Sequence, residues 1–201
     1  MKTTILPLGM LQTNCYIVED NQKHAIIIDP GTRAEKIITY LTNEGIKPVA
    51  IFLTHGHWDH VGAVDDLHQH YKIPVFMHEG DYELINNPKS NVRFNHQIFV
   101  SSPIQFVEEG PYNMEGFSVE LIHAPGHSEG SMMLIYENQL FSGDVLFRED
   151  IGRTDLYNSN PSKMRNSLRV IKTLDPNLIV YPGHEESSSI AHELMYNPHL
   201  Q

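Results

Sequence analysis

The apolar run Val49–Leu53 passes directly into Thr54-His55-Gly56-His57-Trp58-Asp59-His60, and this junction constrains the fold more than any other part of the chain. Three imidazoles and a carboxylate crowd into residues 55–60. Neutral imidazole nitrogen and carboxylate oxygen are the ligands that zinc and similar divalent ions prefer, and a tight turn after a strand points alternate side chains at one ion. His55 and His57 are spaced to share a metal, while Asp59 and His60 turn toward another. A solvated polar loop accounts for a single such residue, not for this concentration of ligand types.

Three later segments end a predicted strand, pass through glycine and deliver one more donor. They are Ala124-Pro125-Gly126-His127, Phe141-Ser142-Gly143-Asp144 and Tyr181-Pro182-Gly183-His184. Glycine lets the backbone turn sharply into a crowded site, so three strand ends can bring three side chains to one point. Alone, each is an ordinary turn. Beside the cluster they complete a set of seven, too many for one catalytic zinc with three protein ligands and an open position, so two metals are expected.

The rest of the composition narrows the function by exclusion. Fourteen Lys and Arg stand against 25 Asp and Glu, a formal net charge of −11, which repels phosphate backbones and anionic membranes, so neither nucleic acid nor membrane is an expected partner. Cys15 is the single cysteine. It permits no intrachain disulfide and reads as a small buried hydrophobe rather than a redox group. No apolar segment suits a signal sequence or a membrane span, so a cytoplasmic location is expected. A chain of 201 residues buries roughly 70 per cent of its unfolded surface, enough to hold a core without metal, so any metal is functional.

No repeat, low-complexity tract or linker divides residues 1–201, and a single domain is expected. Strands are predicted over Asn14–Glu19, His24–Asp29, Val49–Leu53, Pro74–Met77, Phe117–His123, Ser131–Tyr136, Gln139–Ser142 and Leu178–Tyr181. Helices are predicted over Ala34–Gly45, His60–Tyr71, Glu79–Asn87, Pro161–Leu174 and Ser187–Tyr196, with a polar loop near a pocket over Asn87–Ser102. Strands fall in two groups, each followed by helices. This suggests an α+β fold of two packed sheets with helices outside.

The cluster Thr54–His60, followed in order by Gly126-His127, Gly143-Asp144 and Gly183-His184, resembles the metallo-β-lactamase superfamily, specifically its glyoxalase II-like hydrolases. Asp29-Pro30-Gly31, Gly143–Phe147, Ile151–Leu156 and Asn197-Pro198 extend the likeness to the short, single-domain branch. The resemblance implies a four-layer αβ/βα sandwich with two divalent ions at one edge between the sheets, zinc first, with iron or manganese as alternatives. It also implies the division of ligands: His55, His57 and His127 for the first metal, Asp59, His60 and His184 for the second, and Asp144 as the bridge.

The implied reaction is hydrolysis of a small acyl-thioester by a metal-bridging hydroxide, with Asp59 as both ligand and proton acceptor. Asp29 is expected to orient a metal-bound histidine or to form the Asp-Pro-Gly turn. Arg153 is expected near a substrate anion, or else in a surface ion pair. Trp58 either walls the site or packs. Two departures bear on the substrate: residues 185–201 leave no room for the helical domain that helps glyoxalase II hold glutathione, and Arg153 and Asp155 stand where those enzymes have lysine and then an aromatic residue. Asp144, where some lactamases have cysteine, points away from β-lactams, and length and charge point away from the superfamily's nucleases. The rival readings are a mononuclear iron persulfide dioxygenase and a metal-binding protein without turnover. The remaining histidines, His24, His68, His70, His78, His96, His123, His192 and His199, read as structural or solvated.

Overall fold

A computed structural model describes residues 2–87, 92–93, 96–97 and 99–201. Two six-stranded sheets stack face to face, and each carries helices on its outer surface. The first takes the order β1 (Lys2–Leu8), β2 (Thr13–Glu19), β3 (His24–Ile28), β4 (Lys47–Phe52), β5 (Val75–Met77) and, at the far edge, Ile104–Phe106 as β8. The short pair β6 (Val92–Arg93) and β7 (His96–Gln97) lies between β5 and β8 in sequence. The second sheet runs β16 (Ser188–Ser189), β15 (Ile179–Pro182), β12 (Gln139–Gly143), β11 (Met132–Tyr136), β10 (Phe117–His123), β9 (Gly110–Met114). A two-strand ladder, β13 (Leu146–Phe147) with β14 (Asp150–Ile151), follows β12 in sequence.

Alternation along the strands builds the layers. In β2, Tyr16 and Val18 face the second sheet, while Cys15 and Ile17 face the helices. In β3, Ile26 and Ile28 join the core between the sheets and Ala25 and Ile27 the outer one. A strand covered on both faces needs such an unbroken apolar run. Outside the first sheet lie α1 (Ala34–Glu44), through Ile37 and Leu41, and α3 (Val64–Tyr71), through Val64 and Leu67. Outside the second lie α5 (Pro161–Ile171), through Met164, Leu168 and Ile171, and α6 (Ile190–Tyr196), through Ile190. The αβ/βα sandwich expected from the resemblance is the observed fold.

The structure corrects several expected elements. The helix expected over His60–Tyr71 is two, α2 (Trp58–Val61) and α3, because the Ala63 N–H leaves the helical ladder to donate to Pro30 O at 2.9 Å. Glu79–Asn87 divides into a 3-10 turn, Glu79–Asp81, and α4 (Tyr82–Asn86). Pro48 lies inside β4, opposite Ala25, where the register with β3 shifts and spares a ladder bond. β1, β8 and β9 were not expected: all three lie at sheet edges, and their mixed burial blurs the period-2 signal. Much of the polar loop expected over Asn87–Ser102 falls outside the described residues. Among the described residues no helix is long and apolar enough to cross a membrane.

Candidate metal centre

Every strand that leads into a sequence-predicted donor ends at the same edge of the sandwich. β3 and β4 run parallel, and so do β12 and β15, with β10 in the same direction as β12 through two antiparallel steps. Their C-terminal ends deliver Asp29, the His55–His60 segment, His127, Asp144 and His184. Backbone hydrogen bonds sew the two sheets together here: Asn14 N donates to Gly183 O and Met132 N to Thr54 O, both at 2.8 Å. The Asn14 amide and the Tyr16 hydroxyl also donate to Pro182 O. At Gly183 the approach is so close that a Cβ would lie 2.1 Å from Asp144 Oδ1. Gly143 adopts φ +50° directly before Asp144, a conformation that favours glycine.

The seven donors converge. His55, His57 and His127 form one group and Asp59, His60 and His184 another, with donor atoms within 4.8 Å of one another in each. Asp144 stands between the groups: Oδ2 lies 3.4 Å from His127 Nε2 and 3.6 Å from His184 Nε2, and Oδ1 lies 3.5 Å from His60 Nε2. His57 Nδ1 lies 2.8 Å from His127 Nε2, and His184 Nε2 lies 3.2 Å from Asp59 Oδ2. These separations bracket the ~3.3 Å edge of a tetrahedron with metal bonds near 2 Å.

The outward-facing nitrogens are held by the protein. His60 Nδ1 meets Asp29 Oδ2 at 2.9 Å, His127 Nδ1 meets Arg153 O at 2.9 Å, and His184 Nδ1 meets Leu11 O at 3.1 Å. His55 Nδ1 lies 3.1 Å from Thr54 Oγ1. Such partners fix the ring and its tautomer, leaving Nε2 to face inward. Two inward atoms, His55 Nε2 and Asp144 Oδ1, are buried with no hydrogen-bond partner among the described residues. A buried polar atom left unpaired is costly, and a cation between the groups satisfies both. The donor set therefore fits divalent metal.

Charge points the same way. Burial, then the imidazoles beside it, pushes His55 well below the ordinary histidine range, and burial with His127 takes His57 down to about 3, so both offer neutral lone pairs. Burial also opposes a charge on His60, yet Asp59, Asp144 and Asp29 outweigh it and lift that ring to about 10. Burial would raise Asp59, but His60 and His184 hold its carboxyl below the usual range. The carboxylates of Asp59, Asp144 and Asp29 around the second group thus call for positive charge.

Asp29 is a supporter rather than a donor, since Oδ1 accepts from Thr54 N at 2.8 Å and Oδ2 from Thr54 Oγ1 at 2.6 Å as well as from His60. Sequence reasoning missed Thr13, whose hydroxyl donates to Asp59 Oδ2 at 3.0 Å. It also missed buried Asp81, which accepts from Gly56 N, Ser128 Oγ and Gly130 N and so ties the loop of His55 and His57 to that of His127. No motif marks either one. His123, four residues before His127, is not in the centre: its ring stacks on His78 at 4.0 Å and its Nε2 meets Glu129 O. Cys15 is buried in the core, where burial raises its thiol. The side chain of His96 is outside the described residues.

The donors open into a cleft of about 710 Å³, walled by Leu11, Trp58, Phe147, Ile151, Leu156 and Tyr157. Trp58 thus walls the site. Arg153 also lines it, but its Nε and Nη2 donate to the two oxygens of Asp155, each at 2.9 Å. A substrate carboxylate would have to displace that partner. The arrangement suits a small molecule with an apolar part and a polarisable carbonyl.

Known proteins show the same architecture. A family model described as the Metallo-beta-lactamase superfamily matches residues 8–184. Hydroxyacylglutathione hydrolase GloC of Haemophilus influenzae is 35% identical over 209 residues, covering 100% of this chain and 98% of that protein. The crystal structure of BLEG-1 B3 metallo-beta-lactamase matches with a TM-score of 0.94 and 37% identity, covering 100% of each chain. That of TTHA1623 in a di-iron-bound form matches at 0.87 and 35%, covering 97% of this chain and 98% of the other. On the family match and on identities of this size over full lengths, the chain belongs to the metallo-beta-lactamase superfamily, as a metallo-hydrolase.

Proposed function

We propose that the protein hydrolyses small acyl-thioesters at a centre of two divalent ions, held by His55, His57 and His127 and by Asp59, His60 and His184, with Asp144 shared. The observation that carries this reading is the pair of donor groups with Asp144 facing both. A relative named as a hydroxyacylglutathione hydrolase supports the thioester as substrate.

Bound divalent ions supply a water of near-neutral pKa and polarise a carbonyl. The chain does the rest. Asp59 Oδ2 is engaged by Thr13, His60 and His184, which leaves Oδ1 to accept a proton from the attacking water. Leu11, Trp58, Phe147 and Leu156 hold the apolar part of the substrate and keep bulk water from it. Zinc is the first choice of metal, and the di-iron-bound form of a similar protein makes iron the second. A single cysteine and a thioester substrate suit the reducing cytoplasm, where small thiols abound.

The test is metal content and turnover on one preparation, purified without chelator from cells supplied with zinc and iron. Two ions per chain and saturable thioester hydrolysis, lost in His57→Ala, are expected. One iron per chain with oxygen-dependent consumption of a persulfide would overturn the reading, as would hydrolysis of β-lactams without thioesters. Metal without turnover on any of these points to storage.

A further inference from the structure

The cleft wall carries a charge pattern that bears on which thiol the site accepts, an inference that rests on the thioester reading above. Outside the seven donors, its charged residues are Asp150, Arg153 and Glu185. Arg153 is committed to Asp155 through two hydrogen bonds. Asp150 Oδ1 has His199 Nε2 at 3.2 Å. Glu185 follows His184 directly with φ 65°, and its carbonyl accepts from Asn14 Nδ2 at 2.9 Å, so its backbone is anchored beside the donors. Its exposed carboxylate has no hydrogen bond or ion pair among the described residues.

We propose that Glu185, seconded by Asp150, sets the specificity for the thiol: the cleft takes thioesters whose thiol part is neutral or cationic and turns away those whose thiol part is anionic. The charge of the donor centre acts on each carrier alike in the wild type and in a Glu185 variant, so it cancels when the two proteins are compared carrier by carrier. The tail beyond the sulfur is what differs. It lies along a wall of apolar side chains with two carboxylates and an arginine already neutralised, within the ~8 Å over which exposed charges act at physiological salt. A low-dielectric wall concentrates that field.

The experiment uses one acyl group on three carriers: thiocholine, permanently cationic; N-acetylcysteamine, neutral; and 3-mercaptopropanesulfonate, permanently anionic. On the zinc-loaded protein at low salt, kcat/KM is expected to be about tenfold higher for the thiocholine ester than for the sulfonate ester, the gap closing as salt rises. Glu185→Gln is expected to narrow the gap to about threefold and Glu185→Asp to retain it. Calorimetry of the free thiols reads the same preference as affinity, independently of turnover. An anionic carrier handled as well as the cationic one, or a gap unmoved by Glu185→Gln, overturns the proposal and leaves the thioester reading standing. The reverse result, ordered thiol affinities with no thioester hydrolysed, overturns the thioester reading and leaves the charge preference of the cleft.

Discussion

Asp29 grips Nδ1 of His60 at 2.9 Å, with both side chains withdrawn from solvent. The carboxylate accepts from the ring, from Thr54 N and from Thr54 Oγ1, so it has no donor of its own to offer. It therefore keeps the Nδ1 proton of His60 in place, so that Nε2 is the nitrogen that gives up its proton to a metal at the second donor group.

Asp29→Asn should break this relation more than its size suggests. The amide carbonyl still accepts from Thr54 N, but the amide N–H₂ then faces His60 Nδ1 and drives its proton to Nε2, where it blocks a metal. Affinity for the second ion is expected to fall about 10- to 100-fold, read by titration against a competing chelator. Two ions bound with unchanged affinity would refute the assignment.

Gly183→Ala tests the close approach on the other side. Its Cβ would meet Asp144 Oδ1 at 2.1 Å and His60 Cε1 at 2.8 Å. Asp144 must move, and a loss of about 1–3 kcal/mol in unfolding free energy is expected together with weakened metal binding. Denaturant unfolding with and without metal measures both. A fully stable, fully loaded variant would show that the cradle around Asp144 yields freely.

Asp81 is a structural tie, and its removal should be felt in the centre it never touches. In Asp81→Asn one side of the carboxylate becomes a donor facing another donor, either Gly130 N or the pair Gly56 N and Ser128 Oγ. A buried N–H left without an acceptor costs about 1–3 kcal/mol. Occupancy of the His55, His57 and His127 group is expected to fall along with the melting temperature. A stability loss with metal affinity intact would confine Asp81 to the fold.

Asp65 supplies a pH dependence away from the metals. It accepts from the N–H and hydroxyl of both Ser101 and Ser102. Burial would raise its carboxyl, but these bonds outweigh it and hold the group below the usual range. A depressed folded pKa contributes stability that is complete above the unfolded value of about 3.9 and is lost as pH falls through the folded value. Asp65→Asn should be about 1 kcal/mol less stable than wild type at pH 7, a value kept small by partial exposure. Unfolding curves of the two should converge toward pH 2; parallel curves from pH 7 to 2 would exclude the effect.

How legible the molecule was in its sequence depended on what each residue type can signal. Ala25–Ile28 announced a strand buried on both faces because nothing else needs four consecutive apolar residues before an Asp-Pro-Gly turn. Lys2–Leu8 did not, since an edge strand half open to water carries Thr, Lys and Pro as readily as a loop does. The donors stood out because imidazole and carboxylate after a strand and a glycine have a chemical reason to be there. Their division into two groups came only with the resemblance, because spacing along the chain says nothing of which strand ends meet. Thr13 and Asp81 were silent for the same reason: their roles lie in partners 46 and 47 residues away. Arg153 lines the cleft, but its pairing with Asp155, two residues on, is a matter of rotamers rather than of pattern.

The hydrogen bonds from Asn14 and Tyr16 to Pro182 and Gly183 tie nearly the first strand made to nearly the last. Translation is vectorial, so the histidines at 55–60 emerge on the ribosome long before His184 exists, and the second donor group closes only when the tail of the polypeptide returns to its beginning. A chain that stops short of His184 thus holds every donor of the first group and lacks one of the second.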